Sequence, residues 1–245
     1  MLRPVVRHRR PRGGQQGLSL VELMVGIAIG LFVVAGAVTL VAAQLGDNRR
    51  LLLETQLQQD LRASTDIITR ELRRAGYTTL AQQGAWYPDT MLVQRNTFAD
   101  VTPVGSNDPV TASETRFKYR RGPGAEGPYG FKLENNVIKT LLAGSGWQEL
   151  TDGTTMKVTR FDVTMVDVRS QDLANPPLPL PCPRLCADGT QACWPMLTVR
   201  EMTVDISAEA VSDEAVQRSI RSTVRLRNDW VQFTDPLNPD RVCPN

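Results

Sequence analysis

An apolar run from Leu18 to Ala43 constrains this chain most, because it is long enough to cross a membrane. The run contains 26 residues, or about 39 Å of helix at ~1.5 Å per residue, against a hydrocarbon core of ~30 Å. The segment before it has no acid and five basic residues: Arg3, Arg7, Arg9, Arg10 and Arg12. Basic flanks stay in the cytoplasm. The sequence therefore predicts one transmembrane helix over residues 18–43, with the remaining chain on the periplasmic or outer side.

Glu22 is the anomaly within this apolar run. A charge in a membrane helix costs roughly 2.5–3.5 kcal/mol at full depth and less near the interface, so it predicts a function and a cationic partner. No basic residue lies within one helical turn, and Arg12 precedes the flexible polar stretch 13–17. Cleavage after Gly17 would give Leu18 a free α-amine one turn from Glu22, on the same or a neighbouring molecule. The new N-terminus would then be the missing cation.

The segment Gly17-Leu18-Ser19-Leu20-Val21-Glu22-Leu23 resembles the class III signal of type IV pilins. The shared features are a short basic leader, Gly before the cut, an apolar first residue, and Glu as the fifth residue of the mature chain. The resemblance implies that a prepilin peptidase removes leader 1–17 and methylates the amine of Leu18, although Phe is commonest at that position. The alternative is an uncleaved signal anchor in which Glu22 occurs by chance.

Removal of the leader changes which functions the composition allows. The mature chain keeps 23 basic residues against 26 acidic ones, a net charge near −3 instead of +2, which argues against nucleic acid as a partner. The single histidine, His8, is also lost. Without imidazole there is no Ser-His-Asp or Cys-His nucleophile and no histidine metal site.

Other possible catalytic groups also have simpler interpretations. Gly144–Gly146 and Gly122–Gly127 lack the spacing of a nucleophile elbow or a phosphate-binding loop, and both are interpreted as turns. Asp205 and Glu209 have the even spacing of residues on the solvated face of a strand. The sequence predicts no enzyme, no cofactor and no metal site.

The helical pattern continues beyond the membrane segment. An apolar stripe recurs at spacings of four and seven, and consists of Leu53, Leu57, Leu61, Ile68 and Leu72. Gly76 follows a basic last turn, a usual helix stop. We expect one helix from about Leu18 to Ala75, amphipathic over residues 44–75. Gly26 and Gly30 form a small-xxx-small pattern that either allows close helix packing or reflects ordinary glycine enrichment in membrane helices.

From Gly76 the period changes to two, which predicts strands. Alternating residues begin at Phe117, Phe161 and Met202; Asn135-Asn136 forms a predicted hairpin turn, and the last predicted strand runs from Ile220 to Asn228. We expect an α+β fold in which the amphipathic helix packs on an antiparallel sheet in one domain, residues 76–245. The row of Arg221, Arg225 and Arg227 could bind an anion or nucleic acid, but a solvated strand face neutralised by nearby acids is the simpler interpretation.

Two segments interrupt the predicted sheet. The first is a long connection over residues 81–114, a length often associated with function. The second is the proline-rich loop 175–195, which carries three of the four cysteines. The candidates for disulfides in an oxidising periplasm are Cys182, Cys186, Cys193 and Cys243, and sequence leaves all three complete pairings open. A four-thiolate zinc site is the competing interpretation, and the loop could serve either stability or partner binding.

The whole chain resembles minor pilins of the PilW type. The resemblance beyond the signal is carried by the helix end Arg70–Tyr77 and the closing segment Ser222–Asn228. It implies an inner-membrane protein that enters a type IV pilus and helps prime its assembly in a minor-pilin complex at the fibre tip. The implied partners are other minor and major pilins, the prepilin peptidase, the assembly platform in the inner membrane, and the lipid bilayer. The alternatives are a type II secretion pseudopilin of the J type and a membrane-anchored periplasmic module that binds DNA or a surface.

Overall fold

A computed structural model describes residues 17, 19–79, 98–103, 109–120, 122, 124–167 and 178–232. Its single long helix, α1, spans Leu20–Arg73, so the predicted end near Ala75 is confirmed to within two residues. A turn follows the helix, and Gly76 takes a φ of +78°, a value that side chains disfavour. The chain divides into two units, the first ending at Arg50 and the second beginning at Leu51. In the first unit, every described side chain of the helix is exposed.

The second half of α1 buries one stripe. Its buried members are Leu57, Leu61, Ser64, Thr65, Ile68, Thr69 and Leu72, which include four of the five predicted apolar positions. Three of these residues are polar, yet their hydroxyls donate to carbonyls four residues earlier, at 2.8 Å from Ser64, 2.7 Å from Thr65 and 2.9 Å from Thr69. Because each hydroxyl is satisfied within the helix, the stripe packs in the domain core without a buried unpaired group.

The domain contains eleven strands within its described part. They are β1 (Val110–Ala112), β2 (Glu114–Phe117), β3 (Tyr129–Glu134), β4 (Val137–Leu142), β5 (Gly146–Glu149), β6 (Met156–Asp167), β7 (Leu178–Pro179), β8 (Met196–Thr198), β9 (Arg200–Ala210), β10 (Asp213–Arg225) and β11 (Trp230–Gln232). All pairings are antiparallel, in four-stranded sheets β1-β6-β9-β10 and β2-β3-β4-β5 and a three-stranded sheet β11-β8-β7. With the second half of α1 packed on the sheets, the predicted α+β fold is confirmed.

The alternating patterns predicted the long strands correctly. Asn135 and Asn136 connect β3 to β4 with φ values of 54° and 63°, as a tight hairpin turn between right-twisted strands requires. Phe161 and Val163 are buried in β6, and so are Met202 and its alternate neighbours in β9. These residues join the helical stripe in one core.

Three predictions about the sheet were incomplete or wrong. The strand predicted from Ile220 to Asn228 runs from Asp213 to Arg225, because a register irregularity between Asp213 and Gln217 breaks its alternation. It is also not the last strand, since β11 follows. The connection predicted over residues 81–114 contains β1, while residues 80–97 and 104–108 lie outside the described residues. The sheet of β7, β8 and β11 was missed because strands of two or three residues show no period.

Gly130 lies where two strands approach closely. A Cβ built there would lie 2.4 Å from the carbonyl oxygen of Thr115 in the neighbouring strand. We expect Gly130→Ala to lower the free energy of unfolding by about 2 kcal/mol, because β2 and β3 must separate to accept the methyl group. Gly122→Ala is the control, since nothing lies within 4 Å of its Cβ. Chemical unfolding of the full chain would measure both, and equal stability of the two variants would contradict the expectation.

Candidate processing and assembly site

The candidate site begins at the residues that precede α1. Gly17 is exposed, and Leu18 lies outside the described residues. The amide of Leu23 donates to the carbonyl of Ser19 at 3.1 Å, which places Ser19 at the N-cap. Glu22 is then the third helical residue, and Ser-x-x-Glu is the spacing of a capping box. This signal was present in the sequence and was missed.

The position of Glu22 at the start of α1 suits a local role for the carboxylate in addition to any partner. It is exposed and lies in the first turn of α1, where the helix dipole stabilises a negative charge by about 0.3–1 kcal/mol. A capping role needs only an acceptor side chain, whereas pairing with an α-amine needs the charge. Substitutions that keep one property and remove the other therefore separate the two roles.

Gly26 and Gly30 lie on an uncovered part of the helix. Both are exposed, and nothing lies within 4 Å of a Cβ built at either position. Large apolar side chains are exposed along the same segment, from Leu20 at 73% to Leu45 at 65%. No other described part of the chain packs against this surface. Its neighbours would therefore be lipid or another helix, as the small-xxx-small pattern suggests.

The cysteines form disulfides where they are described. Cys186 and Cys193 are bonded, with Cα atoms 5.8 Å apart, and Cys182 is also disulfide-bonded. The partner of Cys182 lies outside the described residues, as does Cys243. Among the described residues, no group of three or more His, Cys, Asp or Glu side chains could hold a metal ion. The disulfide interpretation is confirmed for the loop.

We expect peptide mapping of native protein to find Cys182 joined to Cys243, the one cysteine left over in the sequence. The protein should contain no free thiol and should run faster on a non-reducing gel than on a reducing gel. A Cys186→Ser/Cys193→Ser double variant should keep most of this difference, since a bridge between residues seven apart constrains little chain. Free thiols in unreduced wild type, or stoichiometric zinc, would contradict the prediction.

Asp205 and Glu209, the two acids predicted on a solvated strand face, differ in their burial. Asp205 lies on the outer face of β9 and pairs with Arg221 at 3.5 Å. Glu209 is buried, which corrects the prediction. Lys157 and Gln217 face it from the two flanking strands and contact its carboxylate at 2.6 and 3.3 Å. The hydrogen bond to Glu209 raises the pKa of Lys157. The two residues form a cross-strand ion pair.

The arginine row is largely neutralised. Besides the contact between Arg221 and Asp205, Arg225 pairs with Asp229 at 3.1 Å. Arg227 is exposed at the end of the row. The row thus matches the simpler interpretation of a solvated strand face with neighbouring acids.

Two contacts fix the second half of α1 to the rest of the domain. Glu54 pairs with Arg218 of β10, and Glu71 accepts a hydrogen bond from the Tyr119 hydroxyl. Tyr119 stacks on Tyr129 with ring centroids 4.3 Å apart. Burial and the hydrogen bond to Glu71 raise the pKa of Tyr119 to about 12.

This pKa predicts a loss of stability in alkali. Below pH 10 the phenol is neutral in both states; between pH 10 and 12 the unfolded chain releases the proton that the folded chain keeps, so stability falls. We expect the stability of wild type relative to Tyr119→Phe to drop by about 1–2 kcal/mol over this interval. Tyr77→Phe, at a residue that is 48% exposed, is the control. Unfolding curves at pH 9 and pH 12 that differ equally for all three proteins would contradict it.

Comparisons with known proteins place the chain among pilin-like sequences. The family described as prepilin peptidase-dependent protein B matches residues 50–226, which is more than half of the chain. The chain belongs to this family. The prokaryotic N-terminal methylation motif matches residues 12–38, a range that includes Gly17, Leu18 and Glu22.

The chain is similar to a protein of Escherichia coli (strain K12) named prepilin peptidase-dependent protein B. It is 27% identical over 168 residues, covering 63% of this chain and 80% of that protein. No solved structure matches the chain. The motif and the exposed apolar helix fit a single-pass inner-membrane protein with a pilin-like fold.

Proposed function

We propose that this chain is a minor pilin that helps to prime type IV pilus assembly, within a minor-pilin complex at the fibre tip. The observation that carries the proposal is the methylation motif at the start of an apolar helix whose described surface the chain itself leaves uncovered. A subunit with such a helix has to place it in lipid or against other helices. The prepilin peptidase would release it from the leader, and pilus or pseudopilus components would receive it.

Within this proposal the globular domain acts as a scaffold and not as a catalyst. The long strands β6, β9 and β10 stabilise the domain because they share a hydrophobic core with the second half of α1. The ion pair between Glu54 and Arg218 and the hydrogen bond between Glu71 and Tyr119 hold the second half of the helix to the domain.

The test is intact-mass and N-terminal analysis of protein from membranes and from sheared fibres of the same cells. The proposal expects a mature, methylated Leu18 terminus in both fractions, and loss of pili when the chain is deleted. A J-type pseudopilin, which the same motif would also suit, would instead leave piliation intact and abolish type II secretion. Salt-dependent binding of the full chain to DNA with normal piliation on deletion would favour the third alternative.

A further inference from the structure

The outer edge of β10 is long and regular. β10 lies at the end of the sheet β1-β6-β9-β10, and no described strand pairs with its other side. From Gln217 to Arg225 it pairs with β9 without a register shift and contains neither Gly nor Pro. Proteins usually shorten, bulge or cover such edges because their open backbone groups recruit another strand. Here the only irregularity lies before Gln217.

The hydrogen-bond pattern shows which backbone groups point outward. The amide of Leu226 donates to Arg200 of β9 at 3.0 Å. Antiparallel pairing alternates, so Val224, Ser222 and Ile220 also direct their groups toward β9. The amides and carbonyls of the intervening residues therefore point away from the sheet. These residues are Ser219, Arg221, Thr223 and Arg225, and all four side chains are exposed.

The chemistry of the edge selects an acidic occupant. On its solvated face Gln217–Arg225 carries Arg221 and Arg225 and no acid, whereas Arg218 lies on the other face and pairs with Glu54 of α1. The Arg221 and Arg225 side chains remain 72% and 58% exposed despite their contacts with Asp205 and Asp229. Acids at alternate positions of an added strand would lie opposite them, where unlike charges across a pair stabilise the sheet. On the other face, Ile220 is only partly buried against the core, so an apolar side chain of the added strand would cover it.

A second copy of β10 suits the edge less well. Antiparallel self-pairing centred on Arg221 would place Arg221 opposite itself, and pairing centred on Thr223 would place Arg221 opposite Arg225. Pairing centred on Ser222 would place Arg221 opposite Thr223, so it would give neither arginine an acidic partner. Like charges directly opposite are destabilising. We propose that β10 binds an extended acidic segment of a partner protein by strand addition at Ser219–Arg225. This inference concerns the domain alone and holds whichever assembly the chain enters.

The experiment uses the full chain in detergent and a capped nine-residue peptide of alternating aspartate and valine. The same peptide with lysine in place of aspartate is the control for charge. We expect the acidic peptide to bind at least tenfold more tightly at low salt. It should slow hydrogen exchange at least tenfold for the amides of Ser219, Arg221, Thr223 and Arg225, which point outward, and leave the β9-facing amides unchanged.

Two kinds of variant separate strand addition from nonspecific charge attraction. Thr223→Pro removes one outward amide and leaves the backbone hydrogen bonds to β9 in place, as edge strands tolerate, and should weaken acidic-peptide binding at least tenfold. Thr223→Ala loses the same hydroxyl contact with Thr203 of β9 but keeps the amide, and should not weaken binding. The Arg221→Glu/Arg225→Glu double variant keeps the backbone and should prefer the lysine peptide. If Thr223→Pro fails to fold, the double arginine variant still tests whether charge at this edge selects the peptide.

Three outcomes would overturn the proposal. The first is equal binding of the two peptides by wild type, which would mean that charge does not select the occupant. The second is slow hydrogen exchange of the four amides in the chain without peptide. Slow exchange at all protein concentrations would show that the chain covers its own edge, and slowing that increases with protein concentration would show self-pairing. The third is unchanged binding by both the Thr223→Pro and the double arginine variant.

Discussion

Gly17→Leu should leave the precursor uncut in the membrane. The resemblance to class III signals implies that the scissile bond follows Gly17, and we expect a side chain larger than that of glycine to hinder the peptidase there. The expected effect is near-complete loss of the mature form, because the branched side chain would lie directly beside the bond that the peptidase cuts. Mass analysis of membrane protein would show the full leader on the variant.

Gly14→Leu is the matched control for this prediction. It introduces the same side chain three residues upstream, within the same predicted leader, and should be processed normally. Recovery of mature Leu18 termini from Gly17→Leu at the level of this control would contradict the assignment of the cleavage site.

The sequence predicted the parts of the fold in which one periodic face is buried. The stripe from Leu57 to Leu72 and the alternation in β6 and β9 both follow from a helix and a sheet that share one core. β7 and β11 could not be predicted, because strands of two or three residues are held by their neighbours and not by their own pattern. Pro179 in β7 also argued against a strand.

The candidate site divides in the same way. The assignments of Gly17, Leu18 and Glu22 stay predictions. They rest on the resemblance of a local motif to class III signals, and the methylation motif matches the range that contains them. Glu209 was misjudged because its burial comes from Lys157 and Gln217 on flanking strands, and a pattern along one strand contains no information about its neighbours. The pairing of Cys186 with Cys193 likewise depends on the fold of the loop, since spacing left three complete pairings equal.

The edge of β10 illustrates a further limit of pattern analysis. Alternation predicted which side chains face the core, but it could not predict that the strand lies last in its sheet. That position follows from the order β1-β6-β9-β10, in which sequence neighbours β9 and β10 form the end of the sheet. The same arginines that resemble a weak anion site in the sequence therefore lie beside open backbone groups in the structure.

Glu22→Ala should be inserted and cleaved normally but should enter pili or a minor-pilin complex poorly. Losing a charge makes the segment more apolar, so neither insertion nor processing should suffer. In the assembled state the carboxylate would pair with the Leu18 amine of the same or a neighbouring subunit in a low-dielectric environment. Breaking such a pair leaves an uncompensated charge and costs about 3–5 kcal/mol, so we expect incorporation to fall at least tenfold.

Glu22→Gln decides between this charge pair and the capping box. Glutamine serves as well as glutamate at the third position of a capping box, so a purely capping role would leave Glu22→Gln close to wild type. Pairing with an amine requires the charge, and Glu22→Gln should then be as defective as Glu22→Ala. Asp47→Ala, which removes a carboxylate from the same helix beyond the apolar run, controls for general loss of negative charge. The measurement is co-purification with partner pilins, normalised to membrane abundance, and wild-type incorporation of both Glu22 variants would rule out an assembly role for this carboxylate.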